Sequence, residues 1–158
     1  MSELWVSEAA LEDINAEANR AYPLETGGVL VGYVAENGEP VVFGAIGPGP
    51  AAVHQRQRFT PDHVWQCQQL DAVFAKSSSG LVYVGDWHTH PDGSTRMSWL
   101  DHRTLRAIAK HPQAKTPNPL MLIGGGSPQS RVWTGHCYRR HRLLGLLTEC
   151  DQLPLHLF

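Results

Sequence analysis

An α/β sandwich, one mixed β-sheet sandwiched by helices, is the fold class this sequence predicts, and three observations predict it. Strand-like and helix-like stretches interleave in the order β, α, β-hairpin, α, β, α, β, β. The strand-like stretches are rich in Val, Ile, Leu and aromatic residues and are bounded by Gly, Pro, Asn and Ser. The length, 158 residues, is about that of one domain, enough to bury a core but not two. No Pro/Gly cluster divides regions of different composition and no internal repeat is visible, so a single domain over residues 1–158 is expected.

Each element has a local reason. Residues 3–6 (ELWV) read as a short strand, and Ser7 is an N-cap for a helix with Leu11, Ile14, Ala18 and Ala21 on one stripe, ending at Pro23. The segment from Leu24 to Gly47 holds two β-branched runs around Asn37-Gly38, the signature of a β-hairpin. From Pro48 to Thr60 the chain has no clean period and reads as a loop. Pro61 suits the first turn of a helix reaching about Lys76, with faces marked by Val64, Cys67 or Gln68, Asp71 or Ala72, and Ala75. A Ser77 to Gly80 turn precedes a strand from Leu81 to Trp87, whose continuous apolar start predicts a buried central position. Ser98 to Lys110 reads as a helix with Leu105, Ile108 and Ala109 inward. Strands LMLIGG and RVWTGHCYRR follow, joined by GSPQS. The apolar tail 142–158 is left open: a final strand, a helix, or a surface for a partner.

Composition excludes several classes of function. Thirteen basic against fifteen acidic side chains leave a net charge of −2, which creates no field toward nucleic acid or an anionic membrane. No apolar run approaches the roughly 18 residues of a membrane helix. The start MSELWVSEAALED lacks the regions of a signal peptide, so a cytoplasmic location is expected. Cys67, Cys137 and Cys150 are odd in number, far apart and without a CxxC pair, which predicts buried free thiols rather than disulfides or a cysteine metal cluster.

The chemistry concentrates in LVYVGDWHTHPDGSTRMSWLD, residues 81–101. Alternate residues of a strand share a face, so His88 and His90 point the same way with Cα atoms about 6.6 Å apart and can converge on one ion. The ten residues from Pro91 to Leu100 allow a tight turn and the first turn of a helix, which swings Asp101 back to the strand end. Two nitrogens and a carboxylate oxygen leave the fourth position of a zinc ion open, the arrangement of a catalytic site. Ser98 and Asp101 also form an S-x-x-D capping box, a purely structural reading in which Asp101 serves the cap only by giving up the metal. A hydrolase needs a proton acceptor beside the metal; Glu25, ahead of Gly27 and Gly28, is the candidate.

Together, ETGGVLVGY, HTHP, Ser98 and Asp101 resemble the JAMM (MPN-plus, or prokaryotic JAB) metalloproteases. Their pattern is an upstream Glu before a Gly-rich strand, then H-[ST]-H, seven residues opening with Pro, Ser, two residues and Asp; here Glu25, His88, Thr89, His90, Pro91, Ser98 and Asp101 match it. The resemblance spans residues 7–138. It implies a cytidine-deaminase-like α/β/α fold, one zinc held by His88, His90 and Asp101, Glu25 as general base and acid, and Ser98 beside the oxyanion. It also implies cleavage after the C-terminal glycines of a ubiquitin-like protein, as in the deconjugating peptidases of anti-phage islands, or trimming of a sulfur-carrier protein. Residues 91–97 and the 48–60 loop would border the groove for that tail, with Arg56, Arg58 and Phe59 as candidate contacts. A zinc deaminase on the same fold would need PCxxC and HxE, and neither occurs. A non-catalytic binding module is the remaining alternative.

Overall fold

The structure, a computed structural model, describes residues 2–143 and 146–158, and side chains outside 140–148. In chain order the elements are β1 (Leu4–Val6), α1 (Glu8–Ala21), β2 (Gly27–Val34), β3 (Pro40–Ile46), β4 (Val53–Gln55), β5 (Arg58–Thr60), α2 (His63–Lys76), β6 (Val82–Pro91), α3 (Trp99–Lys110), β7 (Leu120–Gly126), β8 (Val132–Leu143), β9 (Leu146–Leu153) and β10 (Leu155–Leu157). Eight strands form one mixed sheet in the order β10-β1-β3-β2-β6-β7-β8-β9, as the α/β reading predicts. β6 lies inside it, antiparallel to β2 and parallel to β7.

The sheet carries helices on both faces because its strands alternate. Leu30 of β2 and Leu120 and Leu122 of β7 face α1, packing with Ala10 and Ile14. Val29 and Val31 face the other way and pack on Trp65, Leu70 and Val73 of α2, while Met121 and Ile123 meet Leu105 of α3. β6 breaks the alternation once. Val31 pairs with Tyr83 but Leu30 with Gly85, so β6 holds an extra residue there. Tyr83 faces α2, Val84 and Trp87 face α1, and His88 and His90 are turned toward the α2/α3 side. At Gly85 a Cβ would lie 2.1 Å from the Leu120 carbonyl oxygen, so only glycine lets β7 come this close.

Several expectations need correction. The 48–60 stretch is not a plain loop: β4 and β5 form a two-stranded hairpin, invisible to periodicity because each strand has three residues. Pro61 precedes the Asp62 N-cap instead of lying within the first turn of α2. The inward face of α2, left undecided by the sequence, is formed by Trp65, Gln66, Leu70 and Val73, with Val64 and Cys67 exposed. Gln66 is tolerated inside because its Nε2 donates to the Gly47 carbonyl at 2.9 Å. The three cysteines are free, but Cys67 lies on the surface. The undecided tail forms β9 beside β8 and β10 parallel to β1. Only Pro154 separates these two strands, so the sheet curls until its edges meet, with Leu4 N donating to the Pro154 carbonyl at 2.8 Å. Of the apolar LLGLL stretch, residues 144 and 145 lie outside the described residues.

Candidate metal centre and catalytic cavity

Strand period, helix cap and sheet register together build the site. His88 and His90 are alternate residues of β6, and their Nε2 atoms approach to 3.0 Å. Asp101, in the first turn of α3, brings Oδ1 to 3.2 Å from His88 Nε2 and Oδ2 to 3.5 Å from His90 Nε2. Bonds of about 2.0–2.1 Å to a tetrahedral ion separate its donor atoms by about 3.3 Å. The three observed spacings bracket that value, so the side chains already outline one face of a four-coordinate site. Among the described residues, this is the cluster of three whose ligating atoms lie within 4.8 Å of one another.

The surrounding hydrogen bonds hold this arrangement. His90 Nδ1 donates to the Ser94 carbonyl at 2.9 Å, which leaves Nε2 as a lone pair. Ser98 and Asp101 form the capping box: Ser98 N donates to Asp101 Oδ2 at 2.6 Å and Asp101 N to Ser98 Oγ at 3.2 Å. The expectation that Asp101 must choose between cap and metal is therefore wrong. A carboxylate has two oxygens and about four acceptor directions, and here Oδ1 is turned to His88 while Oδ2 serves the cap. Burial pushes the Asp101 carboxyl up, but hydrogen bonds from His88 and His90 outweigh it and hold the group far below the ordinary range. Hydrogen bonding to Asp101 raises the His90 pKa in turn.

Glu25 reaches the same cavity from the start of the β2/β3 hairpin. The antiparallel register pairs Gly27 with His88, which brings Glu25 level with the His88–His90 end of β6. Its backbone is pinned by the small hairpin, with Glu25 N donating to the Gln55 carbonyl at 2.8 Å and His54 Nδ1 to the Glu25 carbonyl at 2.9 Å. On the opposite face, buried Thr89 ties β6 to Thr26: Thr26 N donates to Thr89 Oγ1 at 3.1 Å and Thr89 N to the Thr26 carbonyl at 2.9 Å. Burial raises the Glu25 pKa, against the opposing pull of His88 and His90. A carboxylate whose pKa is raised holds a proton more strongly, which makes it a better proton acceptor.

Glu25, His88, His90, Ser98 and Asp101 line one cavity of about 480 Å³, together with Arg58 and Phe59. Arg56, at the tip of the β4/β5 turn, does not line it. Nor does any residue of 91–97: Tyr22 holds Asp92 at 2.8 Å, while the Thr95 side chain and carbonyl are bonded to Thr134 and His136 of β8. Asp86, Gln66 and Leu100 line the cavity without having been anticipated. Asp86 could have been found, since it precedes His88 by two and shares its face.

A two-histidine, one-carboxylate cluster with an acidic residue in the same cleft defines the class: a metal-dependent hydrolase on an α/β sheet. Residues 7–136 match the family described as prokaryotic homologs of the JAB domain. The chain belongs to that family, the JAB/JAMM metallopeptidases. A probable metalloprotease, y4qB, of Sinorhizobium fredii is 36% identical over 141 residues, covering 87% of this chain and 86% of the relative. A CD-NTase/cGAS isopeptidase of Enterobacter hormaechei is 31% identical over 123 residues, covering 78% of this chain and 67% of its own. The solution structure of protein DSY2949 from Desulfitobacterium hafniense has the same fold, with a TM-score of 0.66, 23% identity and 98% and 92% of the two chains covered. The enzyme is thus a metallo(iso)peptidase. No described helix is long and apolar enough to cross a membrane.

Proposed function

We propose that the chain is a zinc-dependent isopeptidase that cuts after the C-terminal tail of a ubiquitin-like protein, releasing it from conjugates or trimming its precursor. The carrying observation is the set of 3.0, 3.2 and 3.5 Å contacts among His88, His90 and Asp101, with Glu25 in the same cavity. Two imidazoles and one carboxylate in tetrahedral spacing are a donor set that zinc takes with an open position. The isopeptidase names of relatives support an isopeptide substrate. The motif's resemblance to deconjugating peptidases of anti-phage systems supports that setting in the cytoplasm, with residues 1–158 acting as one domain.

In this reading His88, His90 and Asp101 hold the zinc, which when bound supplies Lewis acidity and a water of pKa about 7. Glu25 would accept a proton from the attacking water and return it to the leaving amine, the two halves of general base and acid work. Ser98 Oγ already accepts from Asp101 N, and its own proton remains free to donate to the oxyanion of the tetrahedral intermediate. Arg58 and Phe59 border the path of the tail.

The test combines metal analysis with cleavage of fusions bearing a ubiquitin-like or a sulfur-carrier tail. About one zinc per chain, cleavage after the tail and loss of turnover on chelation support the proposal. A chain that binds no zinc, or whose turnover survives its removal, refutes it; preference for the sulfur-carrier fusion redirects the substrate.

A further inference from the structure

A second cavity, also of about 480 Å³, lies between α2 and α3 over the sheet. It shares Pro61, Gln66 and Asp86 with the catalytic cavity, so the two adjoin. Its walls are largely apolar, with Val29, Leu70 and Tyr83 on one side and Ala107 and Ile108 of α3 on the other. Asp86 stands at the junction. Its Oδ1 accepts from Tyr83 OH at 3.0 Å, His88 and His63 attract its charge without a hydrogen bond, and among the described residues no second donor reaches this carboxylate. A partly buried carboxylate with spare acceptor capacity beside an apolar channel matches one kind of group, a long aliphatic stem ending in a cation.

We propose that this inter-helical cavity is a specificity subsite that takes a lysine or arginine side chain of the substrate's tail, with Asp86 binding the cationic end. The inference rests on the isopeptidase reading for its occupant. Asp86 lies about 6.6 Å along β6 from His88, and an extended tail advances about 3.3 Å per residue. Two residues of tail span that distance, so the basic residue stands at about the third position before the scissile bond, or up to two further back by the reach of its long stem.

Two measurements test this independently. In the first, ¹⁵N-labelled protein is titrated with hexylamine or with hexanol, and the amide shifts of residues around Asp86 and Ile108 are followed. The amine should bind at about tenfold lower concentration than the alcohol, the worth of one charged hydrogen bond, and Asp86→Asn should remove the difference. Equal binding of amine and alcohol overturns the subsite whatever the enzyme cleaves.

In the second, zinc-loaded enzyme is given Gly-Gly-aminomethylcoumarin peptides with Lys, Ala or Glu at the third, fourth or fifth position. At one position kcat/KM for Lys should exceed that for Glu by about tenfold or more. Asp86→Asn should bring the ratio near one, Asp86→Lys should invert it, and Ala107→Trp, which fills the channel, should lower the Lys-to-Ala ratio. A uniform fall across all peptides in Asp86→Asn marks a merely structural role and overturns the proposal. Absence of turnover on every peptide refutes the isopeptidase reading instead, and the amine comparison still decides the subsite.

Discussion

Ser98 caps α3, and the oxyanion role proposed for it can be separated from the cap by substitution. Its Oγ accepts from Asp101 N at 3.2 Å as the N-cap of α3, and the residue lines the cavity that holds His88, His90 and Asp101. Ser98→Ala removes both functions. Loss of the cap costs about 1 kcal/mol, which for a domain of this size lowers Tm by about 2–4 °C. Loss of an oxyanion donor lowers kcat by a factor on the order of 10²–10³. Metal binding should persist, because the Ser98 backbone N–H that holds Asp101 Oδ2 at 2.6 Å is kept by alanine. Ser98→Asp restores a good cap and leaves no proton to donate at pH 7, so it should recover Tm without activity; Ser98→Thr should recover both. The assay is a thermal melt, zinc content and single-turnover cleavage of a ubiquitin-like fusion. Activity within about threefold of wild type in Ser98→Ala, or full activity in Ser98→Asp, refutes the oxyanion role, since either lies far from the expected factor.

Glu25→Gln should keep about one zinc per chain while turnover falls on the order of 10²–10⁴-fold; undiminished turnover at full zinc occupancy would show that another group moves the proton. Thr89→Val removes the acceptor of the buried Thr26 N–H and should cost about 1–3 kcal/mol in urea unfolding, a prediction that fails if the midpoint does not move. His136 is buried and its pKa is lowered by burial, against a raising bond to the Thr95 carbonyl at 2.9 Å. The unfolded chain therefore binds the proton first as pH falls through the ordinary value of 6.5, and stability present above that pH is lost toward the lowered folded value. Urea midpoints of wild type should fall from pH 7.5 to 5.5 more steeply than those of His136→Gln, and parallel slopes would exclude this linkage.

The parts of the site that were legible in the chain are those governed by short-range period. His88 and His90 share a face because β6 alternates, and Ser98 marks α3 because a helix start needs a side-chain acceptor. The inward face of α2 was not legible, because its stripe mixes Trp65, Gln66, Leu70 and Val73, and Gln66 is buried only through a bond to Gly47 in a distant turn. The β4/β5 hairpin escaped for a different reason: three-residue strands carry too few side chains to show a period, though this hairpin pins the Glu25 backbone.

By itself, then, the sequence determined the α/β class, the position of the major strands and helices, and the residue types able to bind a metal, since each depends on neighbours within a turn or a strand. Tertiary structure alone decided that Glu25 faces His88 across 63 positions, through the register of β2 on β6. It also decided that an extra residue in β6 turns the histidines toward α3, and that one carboxylate serves cap and metal face together. These are contacts between segments whose relative placement follows from packing the whole sheet, and no local pattern encodes it.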